Sequence, residues 1–594
     1  MKSKIEKILN KVQKPGRYVG GELNQVCKPN AEDLVRFAFC FPDVYEVGMS
    51  HLGMKIIYHL LNERDDCACE RVFAPWIDME AEMRKADIPL FSMESQTPVG
   101  EFDIVGFTLQ YEMSYTNILN MLDLAEIPFL SSERTDEHTL VCVGGPCAYN
   151  LEPIADFIDF AVLGEAEEVV CEVLEAYKQH KQAGGQRRQF LESIAKIDGI
   201  YVPQFYDVTY NDDGTVKDIT PNNPNAPKTV KKRIIEDLDA TFMPERVIVP
   251  FMEIVHDRNM LELFRGCFRG CRFCQAGFIY RPMRERSVER LVSCAEKLID
   301  NTGYEEISLS SLSTSDYSGL EELTDRLLDL TERRKVNLSL PSLRIDNFSI
   351  ELMQKVQKVR KSGLTFAPEA GTQRMRDVIH KNVTEEHVLN AAHTAFSGGY
   401  GTIKLYFMLG LPTETVEDVE GIARLAKLTL DEFYKIPKEQ RNRNVKITVS
   451  TSMFVPKPFT PFQWEPQDSI DQLGEKQRHL KDLLKVKNIS YNYHQSELSL
   501  LEAVFSRGDR RLSTVLLAAY KNGCRFDGWS EHFKFELWQQ AFDECGFDMD
   551  FYARRARAFD ETLPWDHIDV GVKKAFLIKE AERAKQASLH HSHD

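Results

Sequence analysis

From Leu34 to about residue 175 the chain alternates short apolar runs with amphipathic stretches. "LVRFAFCFPDVY", "ERVFAPW", "FDIVGFTLQY" and "TLVCVGGPC" read as strands buried on both faces. "HLGMKIIYHLLNE", "IDMEAEMRKA", "TNILNMLDLAE" and "EAEEVVCEVLEAY" read as helices with one apolar side. This alternation predicts a parallel sheet of right-handed βα units, a Rossmann-like domain over 31–180. A second series starts at "NMLELF" and continues through "EEISLSSLSTSD", "KVNLSLPSLRID", "GLTFAPEAG", "TIKLYFMLGLPTE" and "NVKITVSTSMFV", six strands separated by five helical stretches. It predicts a partial (βα)6 barrel of TIM type over 246–466, with ligands at the carboxyl ends of its strands. The fold class is therefore α/β. Residues 1–30 form a helical arm, and 181–245 a helix, a β-hairpin turning at Asp213-Gly214, and a linker whose basic run "KTVKKR" reads as solvated. From Ser469 strand signals stop, so 467–594 reads as a helical C-terminal domain covering the open side of the barrel, with a disordered tail.

At 594 residues the chain exceeds one hydrophobic core. No run of about eighteen apolar residues is present, and the start is charged and amphipathic. Both features predict a soluble cytoplasmic protein with no membrane partner. Thirteen cysteines, an odd number scattered outside one cluster, suit a reducing compartment. A net charge of −17 disfavours indiscriminate binding to polyanions but leaves room for a local basic patch that steers RNA.

The cluster is "RGCFRGCRFC", with Cys267, Cys271 and Cys274 at C-x3-C-x2-C spacing. A structural zinc site wants four protein ligands, and no second pair follows nearby. A [4Fe–4S] cube takes one thiolate per iron, so three thiols leave one iron for another ligand. Zinc with a fourth ligand from elsewhere in the chain is the competing reading. The spacing resembles the signature of radical S-adenosylmethionine (SAM) enzymes. That resemblance implies a [4Fe–4S] cluster on the three cysteines, SAM on the open iron, and Phe273 packing near the adenine. It also implies candidate SAM contacts at the strand ends. Ser313 and Asp316 in "SLSTSDY" stand where the family holds the amino group, although the usual Gly-Gly-Glu type of motif is missing. Ser342 and Arg344 suit the carboxylate, Glu369 in "APEAGT" the ribose, and Gly410 in "LGLPTE" the adenine turn. The aromatic segment "VSTSMFVPKPFTPFQW" reads as a rigid apolar lid or as core closure.

A Rossmann-like unit ahead of such a barrel resembles the cobalamin-binding domain of B12-type radical SAM enzymes. Asp43 and Gly48 match the D-x-H-x-x-G pattern, Tyr45 stands in the ligand position, and Gly144 and Gly145 match the later pair. A phenol with a pKa of about 10 is a poor cobalt ligand at neutral pH, so bound cobalamin is expected to lack a protein imidazole. His51 is near in sequence but reads as a capping residue. Trp529, His532 and Trp565 are candidate substrate-facing aromatics of the tail, and at their spacings they suit the core equally well. The resemblance covers nearly the full chain. It implies a radical SAM enzyme that receives electrons from a donor such as flavodoxin or ferredoxin and modifies, by methylation or otherwise, an RNA or ribosomal substrate. Two alternatives stand beside it: the same chemistry on a small molecule or peptide without methyl transfer, and a non-catalytic metal-binding scaffold of the translation machinery.

Overall fold

The computed structural model describes all residues except 30, 342–343, 346–363 and 591–594. The front sheet holds β1 (Val35–Phe41), β2 (Cys67–Phe73), β3 (Ile104–Thr108), β4 (Leu140–Gly144) and β5 (Phe160–Val162), all parallel, with β6 (Ile200–Tyr201) antiparallel to β5. Its order is β2-β1-β3-β4-β5-β6. Winding therefore reverses between β1 and β3, the switch point at which such sheets hold ligands. All residues of β2 and β3 are buried, which accounts for their uninterrupted apolar look.

β2 carries two charged exceptions, Glu70 and Arg71, and the second fastens the N-terminal arm. Arg71 donates to Glu22 of the arm at 3.0 and 2.8 Å and to Glu94 at 2.7 Å, and Tyr45 Oη donates to Glu22 at 2.7 Å. These charges are almost fully buried. Breaking such a pair from one side costs roughly 3–5 kcal/mol, so Glu22 of "GGELN" belongs to the sheet's core.

β7 (Tyr206–Tyr210) and β8 (Val216–Pro221) form the expected hairpin, with Gly214 at φ +83°. The basic run after it is not solvated linker. β9 (Val230–Lys231) pairs in parallel with Ile568–Asp569, and the buried Lys232 donates to the carbonyls of Ile279 and Arg281 at 2.7 and 2.5 Å. Arg233 pairs with Glu168 and Glu172. Charge composition hid this, because the lysine's partners are backbone carbonyls far off in sequence.

The six strands expected of the barrel are all present, and Ile489–Tyr493 adds a seventh parallel strand among the described residues. β10 (Asn259–Glu262), β13 (Glu306–Ser310) and β14 (Asn337–Ser339) form one parallel sheet; β11 (Phe264–Arg265) and β12 (Arg284–Glu285) are a short antiparallel stem beside it. β15 (Leu364–Glu369), β16 (Thr402–Leu409), β17 (Lys446–Met453) and β18 (Ile489–Tyr493) form the other parallel sheet. β18 lies beyond Ser469, where strand signals were expected to stop. Its polar "ISYNY" gives no apolar run to recognise. The helix expected over "NFSIELMQKVQKVR" and the terminal "HSHD" lie outside the described residues.

The C-terminal helices also depart from expectation. Ser496–Ser506, Leu512–Lys521 and Phe535–Cys545 share one continuous core with the front domain, with Phe505 on Tyr115 and Trp538. They are not a separate domain over the barrel. Trp529 and His532 pack on Trp76, and Trp565, fully buried, donates to Gln463 at 2.8 Å. Trp565 is core, whereas Trp529 and His532 are half-buried at its edge. Phe454, Phe462 and Trp464 are buried as well, so the aromatic segment after β17 closes the core.

Asp527 lies at this seam, accepting from Thr116 Oγ1 at 2.6 Å and from Trp538 Nε1 at 2.9 Å. Burial raises its pKa from 3.8 to about 6. A carboxyl with a raised folded-state pKa stabilises the fold while protonated, and that contribution is lost as pH rises through this window. An asparagine accepts from Trp538 and donates to Thr116 without bearing charge. Asp527→Asn is therefore expected to melt above wild type at neutral pH and level with it near the acid end of the window. Thermal scans across that range check this; equal melting points at neutral pH would count against it.

Candidate functional site

The cysteine loop grows from the β11–β12 stem. Gly266 at φ +89° opens it, and a Cβ there would lie 2.6 Å from Pro282 O and 2.7 Å from Tyr280 O, so no other residue fits. Cys267, Cys271 and Cys274 are half-buried free thiols. Burial raises Cys271, opposed by the nearby charges of Lys381 and Arg344. Burial and then the Cys271 thiol push Cys274 up to about 11. The three sulfurs thus feel one another and two cations. Among the described residues no three Cys, His, Asp or Glu side chains converge as ligands of a single ion would; a cube spreads its thiolates over different irons.

The loop is braced against "RDVIHKN". Arg272 N donates to Ile379 O, and its guanidinium to Asp377 O and Val378 O, capping the helix Gln373–Val378. The same guanidinium reaches Glu580 of the helix Lys574–His590 at 3.2 Å. His380 Nδ1 donates to Gly270 O at 3.2 Å. Arg269 chelates Asp316 with both arms. Burial opposes ionisation of Asp316, but that guanidinium outweighs it and its pKa is lowered.

The strand-end candidates fall around this loop. Phe273 packs, partly buried, against the apolar cluster that contains Met375, Val378, Met408 and Phe454. Ser313 is buried at the start of the turn Thr314–Asp316. Arg344 N donates to Ser315 Oγ at 2.9 Å, and its charge reaches Cys271 and Asp316. Glu369 ends β15 at φ +68° and accepts from Lys381 Nζ at 3.1 Å. Ser342 lies outside the described residues. Gly410, at φ +79°, is demanded by its turn: its N–H donates to Glu414 at 2.8 Å, and its missing Cβ faces Leu473 and Asp468.

The second feature is a cavity of about 550 Å³ between the domains. Its walls include Phe39, Phe107 and Thr108 at the switch point, His51, Gly144 and Gly145 beyond the strand ends, and Glu262, Arg265 and Gly266 from the barrel. Asp43, Tyr45 and Gly48 do not line it, contrary to expectation. Asp43 accepts from Trp529 Nε1 at 3.0 Å, Tyr45 is buried against Glu22 and Phe73, and a Cβ on Gly48 would strike the Phe73 ring at 2.4 Å. The helical turn Tyr45–Gly48 rotates them into the core. His51 takes the cavity wall instead. Its Nδ1 accepts from Met54 N at 3.2 Å, so the neutral ring carries its proton on Nε2 and is a donor, not a metal ligand. Gln110, whose amide nitrogen donates to Thr108 at 2.6 Å, is its partner. Burial lowers its pKa to about 4, keeping it neutral.

The two cavity glycines differ. Gly145, at φ +103°, would place a Cβ 2.7 Å from Leu109 O, whereas at Gly144 the nearest atom is Val162 O at 3.5 Å. Gly145→Ala is expected to destabilise the fold by about 2 kcal/mol. Gly144→Ala is expected to leave melting unchanged and only narrow the cavity. Equal melting points for the two variants would refute the distinction.

Across the cavity an ion network ties the domains. Arg265, two residues before Cys267, is bound by Glu262 at 2.9 Å and Glu167 at 2.6 Å, and Arg284 on the partner strand of the stem is bound by Glu165 at 2.6 Å.

Residues 261–426 match the family model for the radical SAM superfamily, and 53–203 the model for the N-terminal part of radical SAM proteins. The chain belongs to the radical SAM proteins. This radical SAM enzyme is 29% identical to an uncharacterized protein of Methanocaldococcus jannaschii over 484 residues, 81% of this chain and 90% of that protein. It is 24% identical to an uncharacterized methyltransferase of Pyrococcus horikoshii, over 55% of this chain and 64% of that protein. It is 25% identical to a tRNA-2-methylthio-N(6)-dimethylallyladenosine synthase of Finegoldia magna, over 42% and 52%. The solved radical SAM methyltransferase TsrM of Kitasatospora setae, with cobalamin and a [4Fe-4S] cluster bound, aligns over 70% of this chain and 75% of its own at 13% identity and TM-score 0.47.

Membership implies a [4Fe–4S] cluster, SAM and an external reductant. The donor set fits the cluster: three thiols on one loop, two cations beside them. Among the described residues no helix is long and apolar enough to cross a membrane. His51 caps its helix as the sequence reading had it, accepting from Met54 N, whereas Lys381, Gln110 and the Glu165–Glu167 pair escaped that reading. Lys381 and the glutamates sit in "VIHKN" and "LGEAEE", whose mixed charges gave no spacing signal.

Proposed function

We propose that this radical SAM enzyme holds its cluster on Cys267, Cys271 and Cys274, takes SAM at the barrel mouth, and binds a cobalamin in the inter-domain cavity to methylate an RNA or another component of the translation apparatus. The observation that carries this reading is the cavity itself, which runs from the switch point of the front sheet to Gly266, the residue before Cys267. When bound, the cluster with SAM supplies an adenosyl radical and cobalamin a transferable methyl group.

The chain's own part is binding and exclusion. Arg344 offers a guanidinium to the SAM carboxylate, Ser313 and Asp316 acceptors to its amino group, and Glu369 an acceptor to the ribose, with Phe273 against the adenine. Gly144 and Gly145 leave room for a large flat ligand. His51, whose ring N–H is partnered by Gln110, would stand toward a cobalamin in this cavity as a donor and not as a ligand. Buried Phe454, Phe462 and Trp464 keep water from the mouth. The RNA part of the reading is supported by the similarity to the tRNA-modifying synthase.

The test is anaerobic reconstitution with iron, sulfide and cobalamin, followed by gel filtration, EPR and detection of 5′-deoxyadenosine. Expected are SAM cleavage, retained cobalamin, and a Co(II) signal that 15N-labelling of the protein leaves unchanged. A colourless zinc protein that leaves SAM intact would sink the enzyme reading in favour of a scaffold. Failure to retain cobalamin would remove methyl transfer alone.

A further inference from the structure

The four-stranded half of the barrel has two faces of opposite character. Phe366, Leu405, Phe407 and Val449 lie on the outer face, buried under the helices Glu385–Ser397, Val416–Lys435 and Ile470–Leu483. Register defines the inner face: Thr365 beside Lys404, Lys404 beside Thr448, Thr448 beside Ser490; one rung on, Tyr406 lies beside Ser450 and Ser450 beside Asn492. Side chains alternate along a strand, so both rungs share one side.

Parallel sheets are ordinarily covered and apolar on both faces, and closed barrels are filled by branched aliphatic side chains. Here Tyr406 is 38% exposed, Thr365 and Asn492 are exposed, and Lys404 and Ser450 are half-buried. Two rungs of hydroxyl, amide and ammonium groups cannot serve as a core. They suit a polar occupant.

Charge says which kind. Lys404 is the charged member of these rungs; its Nζ lies 5.7 Å from the Tyr406 ring, and among the described residues no carboxylate pairs with it. Glu369, nearer the mouth, is neutralised by Lys381. On a chain of net charge −17 this floor is locally positive. A stackable ring, a cation for phosphate and hydroxyls for base edges or ribose are the combination by which proteins hold single-stranded RNA.

We propose that Lys404, Tyr406, Ser450 and Asn492 form the substrate floor of the barrel and that its occupant is one nucleotide of a single-stranded RNA segment. This rests on the reading of the barrel mouth as the catalytic end. The ring stacks on a base, the lysine meets a backbone phosphate, and the serine and asparagine take the base edge.

The experiment measures anisotropy of a fluorescein-labelled, unstructured RNA oligomer on the reconstituted full chain at two salt concentrations, with SAM cleavage assayed on the same samples. Tyr406→Ala is expected to weaken binding about tenfold, the value of one stacked base, and Tyr406→Phe to restore it. Lys404→Gln is expected to lower the salt dependence by about one phosphate contact. SAM cleavage without RNA, measured on the same samples, reports on the cluster and SAM separately from RNA binding. An oligomer that does not bind, wild-type affinity in Tyr406→Ala and Lys404→Gln, or a mononucleotide that binds as tightly as the oligomer would overturn the proposal. Wild-type protein that binds the oligomer through these residues yet leaves SAM intact would sink the catalytic reading and uphold the floor.

Discussion

Cys271→Ala is expected to yield a folded, monodisperse protein that takes up no stable cluster and forms 5′-deoxyadenosine only at background. The thiol is half-buried on a loop, and removing it costs less than about 1 kcal/mol, so melting of the unreconstituted protein should match wild type. Iron uptake behaves differently, because a cube with two protein thiolates has two irons without a protein ligand. Iron content, the brown absorption of the reconstituted sample and SAM turnover should fall together. Lys381→Met is the control. It removes a cation that lowers the Cys271 and Cys274 pKa and the partner of Glu369, and should slow turnover while keeping iron. Full iron content and turnover in Cys271→Ala would contradict the assignment of that thiol.

The second large effect concerns Arg265. Its guanidinium, 13% exposed, satisfies Glu262 of β10 and Glu167 of the front domain together. Truncation to alanine leaves Glu167 without its cation and Glu262 with Arg286 alone, and a loss of about 3 kcal/mol is expected. The stem of the cysteine loop loosens with it, so iron uptake should fall although every cysteine is present. Arg265→Lys keeps the charge but has no planar fork with which to hold two carboxylates, and should lie between the two. Glu167→Gln alone should cost less, and its effect should largely vanish in the Arg265→Ala background. Additive losses would show that the two side chains act separately, and wild-type melting in Arg265→Ala would refute the clamp altogether.

What was legible in the sequence follows from which interactions are local. The three cysteines announce themselves because ligands on one loop must be close in sequence. The alternation of strands and helices follows from burial repeated every two or every 3.6 residues. Tyr45 is instructive in the other direction. Its place in the D-x-H-x-x-G pattern is a sequence fact, but the helical turn at Tyr45–Gly48 points the ring at Glu22 and leaves the cavity to His51. β18 and Lys232 escaped for a related reason. A polar strand and a buried lysine depend on partners about 42 to 49 residues away, on backbone carbonyls in the lysine's case, and neither leaves a period in the chain.

The sequence by itself determined the chemistry: three thiols on a glycine-hinged loop, the order of the strands that follow, and the α/β class of both domains. The tertiary structure decided what surrounds that chemistry. It placed the cavity against Gly266, joined the C-terminal helices to the front core, turned Arg265 toward two glutamates, and left Tyr406 exposed beside a half-buried Lys404. Those outcomes depend on which surfaces meet when the βα units pack, and packing is a property of distant residues together that no local stretch encodes.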